Sequence, residues 1–173
     1  MKERNAFLAL SFVCLLVLVF LSQVAPSGYT RIRISEAGTG REILSEVLRD
    51  GEEAMLIWKN SLFGLKVTEV FVARGGLLVL SQVTFSDPMG SAPPAVTPSD
   101  VDDLYQTGGA FSASGLSKPF RQIVYRIGEI GDPRMRVRGR EVAFSQEVGF
   151  GGSVVLTAAA PRAYEIVFER AHP

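Results

Sequence analysis

LKVTEVFVARGGLLVLSQVTF, residues 65–85, is the stretch from which the fold is read. Two runs rich in β-branched and apolar residues, 65–74 and 77–85, flank Gly75-Gly76. A glycine pair reaches the positive φ values that a two-residue hairpin turn needs. Phe71, Leu78 and Leu80 fall on one face of the hairpin, and Val70, Val72 and Val79 on the other. A hairpin apolar on both faces belongs in the middle of a sheet rather than at a wet edge.

Outward from that hairpin, strand signals recur. Upstream, 54–58 is a continuous apolar run, and Thr30, Ile32 and Ile34 alternate with Arg31 and Arg33 at the strand period of two. Downstream, 134–138 and 141–145 flank Gly139-Arg140, where a leading glycine suits a type II′ turn. That register sets Val137 opposite Val142, Met135 opposite Phe144 and Arg138 opposite Glu141. Further strands are expected over 120–127, 153–159 and 163–170, whereas 41–49 suits either a strand or a short helix. The expectation is a mostly β fold, an antiparallel β-sandwich or flattened barrel.

One long Pro/Gly/Ser-rich loop, 86–119, interrupts the pattern. Within it Thr97 reads as the N-cap and Pro98 as the first turn of a helix reaching about Tyr105 and stopping before Gly108-Gly109. Loops of this length either cap the scaffold or carry function.

The first residues carry a different signal. Lys2 and Arg4 precede an apolar run, 6–21, broken only by Ser11. Continued through Ala25 it gives about 20 residues, enough to cross a ~30 Å hydrocarbon core as one helix. Basic residues stay on the cytoplasmic side, so the remainder is expected outside the cytoplasm, in the periplasm or at the cell exterior. A cleaved signal peptide, with Ala25-Pro26-Ser27 as its site, is the other reading and would release a secreted form. The expected organisation is an anchor or signal segment over 1–27, in contact with membrane lipid, and a β domain over 28–173.

Composition limits the chemistry. Of 173 residues, 18 are basic and 18 acidic. Setting aside Lys2, Arg4 and Glu3 leaves 16 basic against 17 acidic groups, without the positive excess typical of nucleic-acid binders. Cys14, the single cysteine, lies inside the apolar run, so the β domain has no disulfide and no thiolate site. His172 is the single histidine, which removes Ser-His-Asp and Cys-His arrangements and multi-histidine metal sites. No metal or cofactor is expected. Asp100, Asp102 and Asp103 lack the spacing of a calcium loop and suit a helix start. Gly149-Phe150-Gly151-Gly152 reads as a turn between two strands. Arg134, Arg136 and Arg138 repeat every second residue, about 7 Å apart along one strand face. That row could hold an anion or pair with carboxylates such as Glu141.

Met55-Leu56-Ile57-Trp58-Lys59-Asn60-Ser61, Val67-Thr68-Glu69-Val70-Phe71, Leu77-Leu78-Val79-Leu80 and Thr84-Phe85-Ser86 together resemble a small exported family of unknown function. The likeness spans about residues 52–130, with Val124-Tyr125-Arg126-Ile127-Gly128 near its end. Members of that family commonly carry an N-terminal membrane segment. They are encoded beside TRAP-type tripartite solute transporters of the TAXI subgroup. Where the family has His-Ser this chain has Asn60-Ser61, and where it has Gly-Ala-Gly-Leu-Pro this chain has Met89-Gly90-Ser91-Ala92-Pro93.

The resemblance implies a fold and a neighbourhood; with the anchor, the absent catalytic groups and the long loop, the expectation is a non-enzymatic, membrane-anchored accessory of a TRAP-type transporter, with the transporter's subunits as partners. The alternative is a stand-alone module binding a small anionic molecule through Arg134, Arg136 and Arg138 or through the Asn60, Ser61 and Glu69 region. A carboxylate-based hydrolase using Glu69, Asp100 and Asp102 is the third possibility.

Overall fold

The structure is a computed structural model that describes residues 11–16, 19, 26–87 and 89–166. The expected membrane segment falls largely outside these residues; of it, 11–16 are helical. Among the described residues no helix is long and apolar enough to cross a membrane.

Two antiparallel sheets make up the domain, and neither closes into a barrel. The smaller, of four strands, has the order β2-β1-β10-β7, from Glu42–Arg49, Tyr29–Glu36, Ser153–Ala159 and Gln122–Arg126. The larger, of six, has the order β6-β5-β4-β3-β8-β9: Phe111–Phe120, Leu77–Ser86, Lys66–Arg74, Glu53–Lys59, Arg134–Val137 and Arg140–Ala143. The hairpin β4–β5 lies inside the larger sheet, as its two apolar faces require. The stretch 41–49 is a strand, β2: Leu44 and Leu48 point to the core and Arg49 to solvent.

Period-two alternation builds the main core. Ile32, Ile34, Leu44, Leu48, Val154 and Leu156 from the smaller sheet meet Leu56, Phe71, Leu78, Met135 and Val137 from the larger. Each such side chain contributes roughly 1.5–3 kcal/mol on burial. The alternation of β5 is re-phased by a bulge at Ser81: Phe71 pairs with Leu80, but Val70 pairs with Gln82. Leu78 and Leu80 therefore face the main core, and after the bulge Val83 and Phe85 face the same side. Without the extra residue Val83 and Phe85 would have turned outward.

Beyond the edge of the smaller sheet, a second apolar cluster forms from Leu65, Val67, Val83, Phe85, Val101, Phe111 and Ala113. Its cover is a helix, α1, Val101–Thr107, entered through a 3₁₀ turn at Pro98–Asp100. Val101, Leu104 and Tyr105 stand at i, i+3 and i+4 and pack down onto the cluster. Thr97 accepts the backbone N–H of Asp100 through its carbonyl at 3.1 Å, and its hydroxyl bonds the Asp100 carboxylate at 2.8 Å instead of capping a backbone N–H. Gly108 ends the helix at φ 82°, ψ 176°, a conformation almost confined to glycine. A Cβ there would also lie 2.3 Å from the ring of Phe63, which the β3–β4 turn lays against it.

Four expectations need correction. The loop 86–119 is much shorter, because 111–120 form β6, the edge strand of the larger sheet. Its serines and Gly115 hid that strand. The second hairpin turns at Arg138-Gly139, both with positive φ (46° and 79°), as a type I′ turn requires. Its register is accordingly shifted: Met135 faces Val142, Arg136 faces Glu141, and Val137 faces Arg140. Phe144 does not continue the strand but begins a short helix, α2, Phe144–Val148, so the glycine turn 149–152 joins a helix to β10. Residues 163–166 are helical rather than extended, and the rest of that expected strand lies outside the described residues.

Candidate functional site

Glu69 breaks the apolar pattern of its own strand. On β4, Val67, Phe71 and Ala73 are buried inward, and Glu69 occupies the inward position between them. Across the sheet its partners are Leu56 and Val83, both buried hydrocarbons. The carboxyl therefore stands at the junction of the two apolar clusters.

Its polar partners are neutral. Tyr105, brought down by α1, donates its hydroxyl to Glu69 Oε1 at 2.9 Å. The indole of Trp58 is a second donor. No ion pair reaches Glu69 among the described residues. Burial raises its pKa above the ordinary carboxylate range, and the Tyr105 and Trp58 hydrogen bonds oppose that rise. Tyr105 is itself pushed up, first by burial and then by the Glu69 charge, and Tyr125 is raised by the same two causes. The Tyr125 hydroxyl is buried with no hydrogen-bond partner among the described residues.

The carboxyl opens into a cavity of about 490 Å³ between α1, β6 and the edge strand β7. Phe71, Tyr105, Phe120 and Tyr125 supply its aromatic wall, with Asp102 and Lys118 among the polar groups. A smaller cavity, about 210 Å³, lies beyond, where Glu69 and Tyr125 are joined by Trp58, Arg126, Gly131 and Pro133. Glu69 and Tyr125 line both. The larger volume is that of sites for small organic molecules, apolar with a few converging polar groups.

No family model, curated protein or solved structure matches the chain.

The other expected site residues lie elsewhere. Asn60 is buried in the β3–β4 turn, where its Oδ1 accepts the N–H groups of Leu62 and Phe63 at 2.9 and 3.0 Å. That is an Asx-type turn, and it occupies the side chain. Ser61 is exposed beside it. Arg134 bonds Asp132 at 2.7 Å, Arg136 holds Glu141 through two nitrogens at 2.6 and 3.2 Å, and Arg138 bonds Glu52 at 2.9 Å. The arginine row is thus a set of ion pairs along an outer strand face, and it does not meet Glu69. Asp100 bonds Thr97 and Ser99 in the turn before α1, while Asp102 lines the same cavity as Glu69.

A separate groove of about 580 Å³ on the outer face of the larger sheet brings Lys59, Lys66, Arg134 and Arg136 together with Asp132 and Glu141. Lys59 and Lys66 are direct cross-strand partners, both exposed, an arrangement of like charges that costs stability.

Tyr105, Tyr125, Trp58 and Lys118 were missed by sequence reasoning. The signal for Tyr105 was the i, i+3, i+4 pattern with Val101 and Leu104. For Trp58 and Tyr125 it was strand parity with Leu56 and Ile123.

Proposed function

We propose that the chain is a non-enzymatic binding module held on the outer face of a membrane by its N-terminal segment, where it serves a TRAP-type solute transporter of the TAXI subgroup. The observation that supports binding is the cavity itself: about 490 Å³, aromatic-walled, with a half-buried carboxyl as its polar anchor. Support for the tether comes from the apolar run behind Lys2 and Arg4. Support for the transporter comes from the sequence resemblance over about residues 52–130. Cross-linking the tagged protein in its native membrane, followed by identification of what co-purifies, tests the association. Recovery of a polytopic transporter subunit or its soluble receptor is expected; recovery of the protein alone would remove the transporter from the proposal.

A second reading places a small anion in the outer groove. The facing lysines Lys59 and Lys66 favour it, since neither has a carboxylate partner among the described residues and an anion between them would relieve their repulsion. Under this reading organic acids raise the melting temperature of the wild type and not of a Lys59→Gln, Lys66→Gln double variant. Equal shifts in both proteins would rule the groove out.

A further inference from the structure

Building on the cavity as a binding site, we infer that its ligand is a small organic cation, a protonated amine on an apolar or aromatic body. Every polar group directed at Glu69 is a donor: the Tyr105 hydroxyl and the Trp58 indole. An ionised carboxylate accepts about four hydrogen bonds, so lone pairs remain for further donors. Among the described residues no lysine or arginine hydrogen-bonds to Glu69 or pairs with it, although Lys118 and Arg126 line the same cavities. An ammonium group does both at once.

The surroundings of the carboxyl fit the rest of such a ligand. Phe71, Tyr105, Phe120 and Tyr125 line the cavity, and aromatic faces attract cations, the more so away from water. The protein already holds an alkylammonium against this wall: the Lys118 Nζ lies 6.0 Å from the centroid of Phe120. The Tyr125 hydroxyl, without a partner among the described residues, can accept one more ammonium N–H.

A ligand acid would meet the opposite situation. Its carboxylate would confront Glu69, and one of the two would have to hold a proton. Lys118 at the wall of the larger cavity and Arg126 at that of the smaller one favour an acid, and Lys118 enters the test directly.

Binding is then linked to pH. A cation needs Glu69 ionised, so its affinity falls as acid protonates Glu69, by up to about tenfold per pH unit. Other titratable or charged groups line the two cavities as well: Asp102 and Tyr105 from α1, Lys118 from β6, and Tyr125 and Arg126 from β7. Glu69→Gln isolates the contribution of the carboxyl from theirs.

The experiment is calorimetric titration of the intact chain with three probes that share a phenylethyl body: 2-phenylethylamine, 2-phenylethanol and 3-phenylpropionate, between pH 5 and pH 8. The amine is expected to bind tightest, with affinity rising with pH. Glu69→Gln should weaken it at least tenfold and flatten the pH profile, Tyr125→Phe should weaken it several-fold, and Lys118→Met, which removes a competing ammonium from the cavity wall, should tighten it. Folding of each variant is checked by its unfolding transition, and Tyr125→Phe serves should Glu69→Gln fail to fold. Preferential binding of the alcohol or the acid overturns the inference but leaves the cavity as a binding site. Amine binding that survives Glu69→Gln also overturns it, and binding by none of the three overturns the cavity's role as well.

Discussion

The hydroxyl of Tyr105, on the helix that covers one end of the larger sheet, donates to the carboxylate of Glu69 in the middle of that sheet at 2.9 Å. This one bond joins the cover to the strand beneath it and opposes the effect of burial on the acid. Tyr105→Phe keeps the ring among Phe85 and Phe111 and removes only the donor. The Glu69 titration midpoint, followed by carboxyl NMR, should rise, and stability near neutral pH should fall by about 1 kcal/mol. An unmoved midpoint would mean that the bond does not form in solution.

Glu69 also makes stability depend on pH. Its folded pKa lies above the ordinary value of 4.5 because burial disfavours the charge. Between 4.5 and that raised value the folded chain holds a proton that the unfolded chain has released. Stability is therefore lost as pH rises through this window. Glu69→Gln removes the effect. The stability difference between variant and wild type should be constant below pH 4.5 and shift in favour of the variant as pH rises through the window. Urea unfolding at several pH values reads the difference, and parallel curves would contradict the account.

Gly108 is constrained twice, by its φ of 82° with ψ of 176° and by the Phe63 ring where a Cβ would stand. Gly108→Ala should destabilise by at least about 1–3 kcal/mol from the backbone alone. Adding Phe63→Ala should recover the clash and not the backbone cost, so the two changes should be non-additive in chemical denaturation. Simple additivity would show that the ring does not pack there.

Thr30 accepts the N–H of Gly76 at 2.9 Å in a buried position, and Asp50 accepts the N–H of Gly75 at 3.0 Å beside it. Together they tie the tip of the β4–β5 hairpin to the other sheet, at β1 and at the turn that follows β2. Thr30→Val preserves shape but leaves the Gly76 donor unsatisfied, at an expected loss of about 1–3 kcal/mol. Amide exchange at Gly76 should accelerate in the variant, and unchanged protection would argue against the bond.

Strand identity was legible wherever alternation was strong, as at Ile32 and Ile34 or at Val154 and Leu156. It was not legible in β6, where Ser112, Ser114, Gly115 and Ser117 dilute the signal and pairing to β5 supplies what propensity does not. The register of β8–β9 was misjudged because Arg138 takes a positive φ that arginine seldom adopts, and a one-residue change in the turn changes every pair. Glu69 was legible as a candidate residue. Its burial was implicit in the parity of Val67, Phe71 and Ala73, but its partners were not, since Tyr105 and Tyr125 arrive from elements distant in sequence. The arginine row was legible as a row; only the placement of Asp132, Glu141 and Glu52 shows that it is neutralised.

The position of β1 has a mechanical consequence. It runs between β2 and β10, antiparallel to both, paired to β2 from Tyr29 to Ser35 and to β10 from Arg31 to Glu36. Antiparallel hydrogen bonds lie perpendicular to their strands, so a pull on residue 28 along β1 loads both rows in shear, all bonds together rather than one after another. The same strand holds the hairpin tip through Thr30. A force arriving from the N-terminal side therefore meets the domain at its stiffest line, away from the cavity that β7 and α1 enclose.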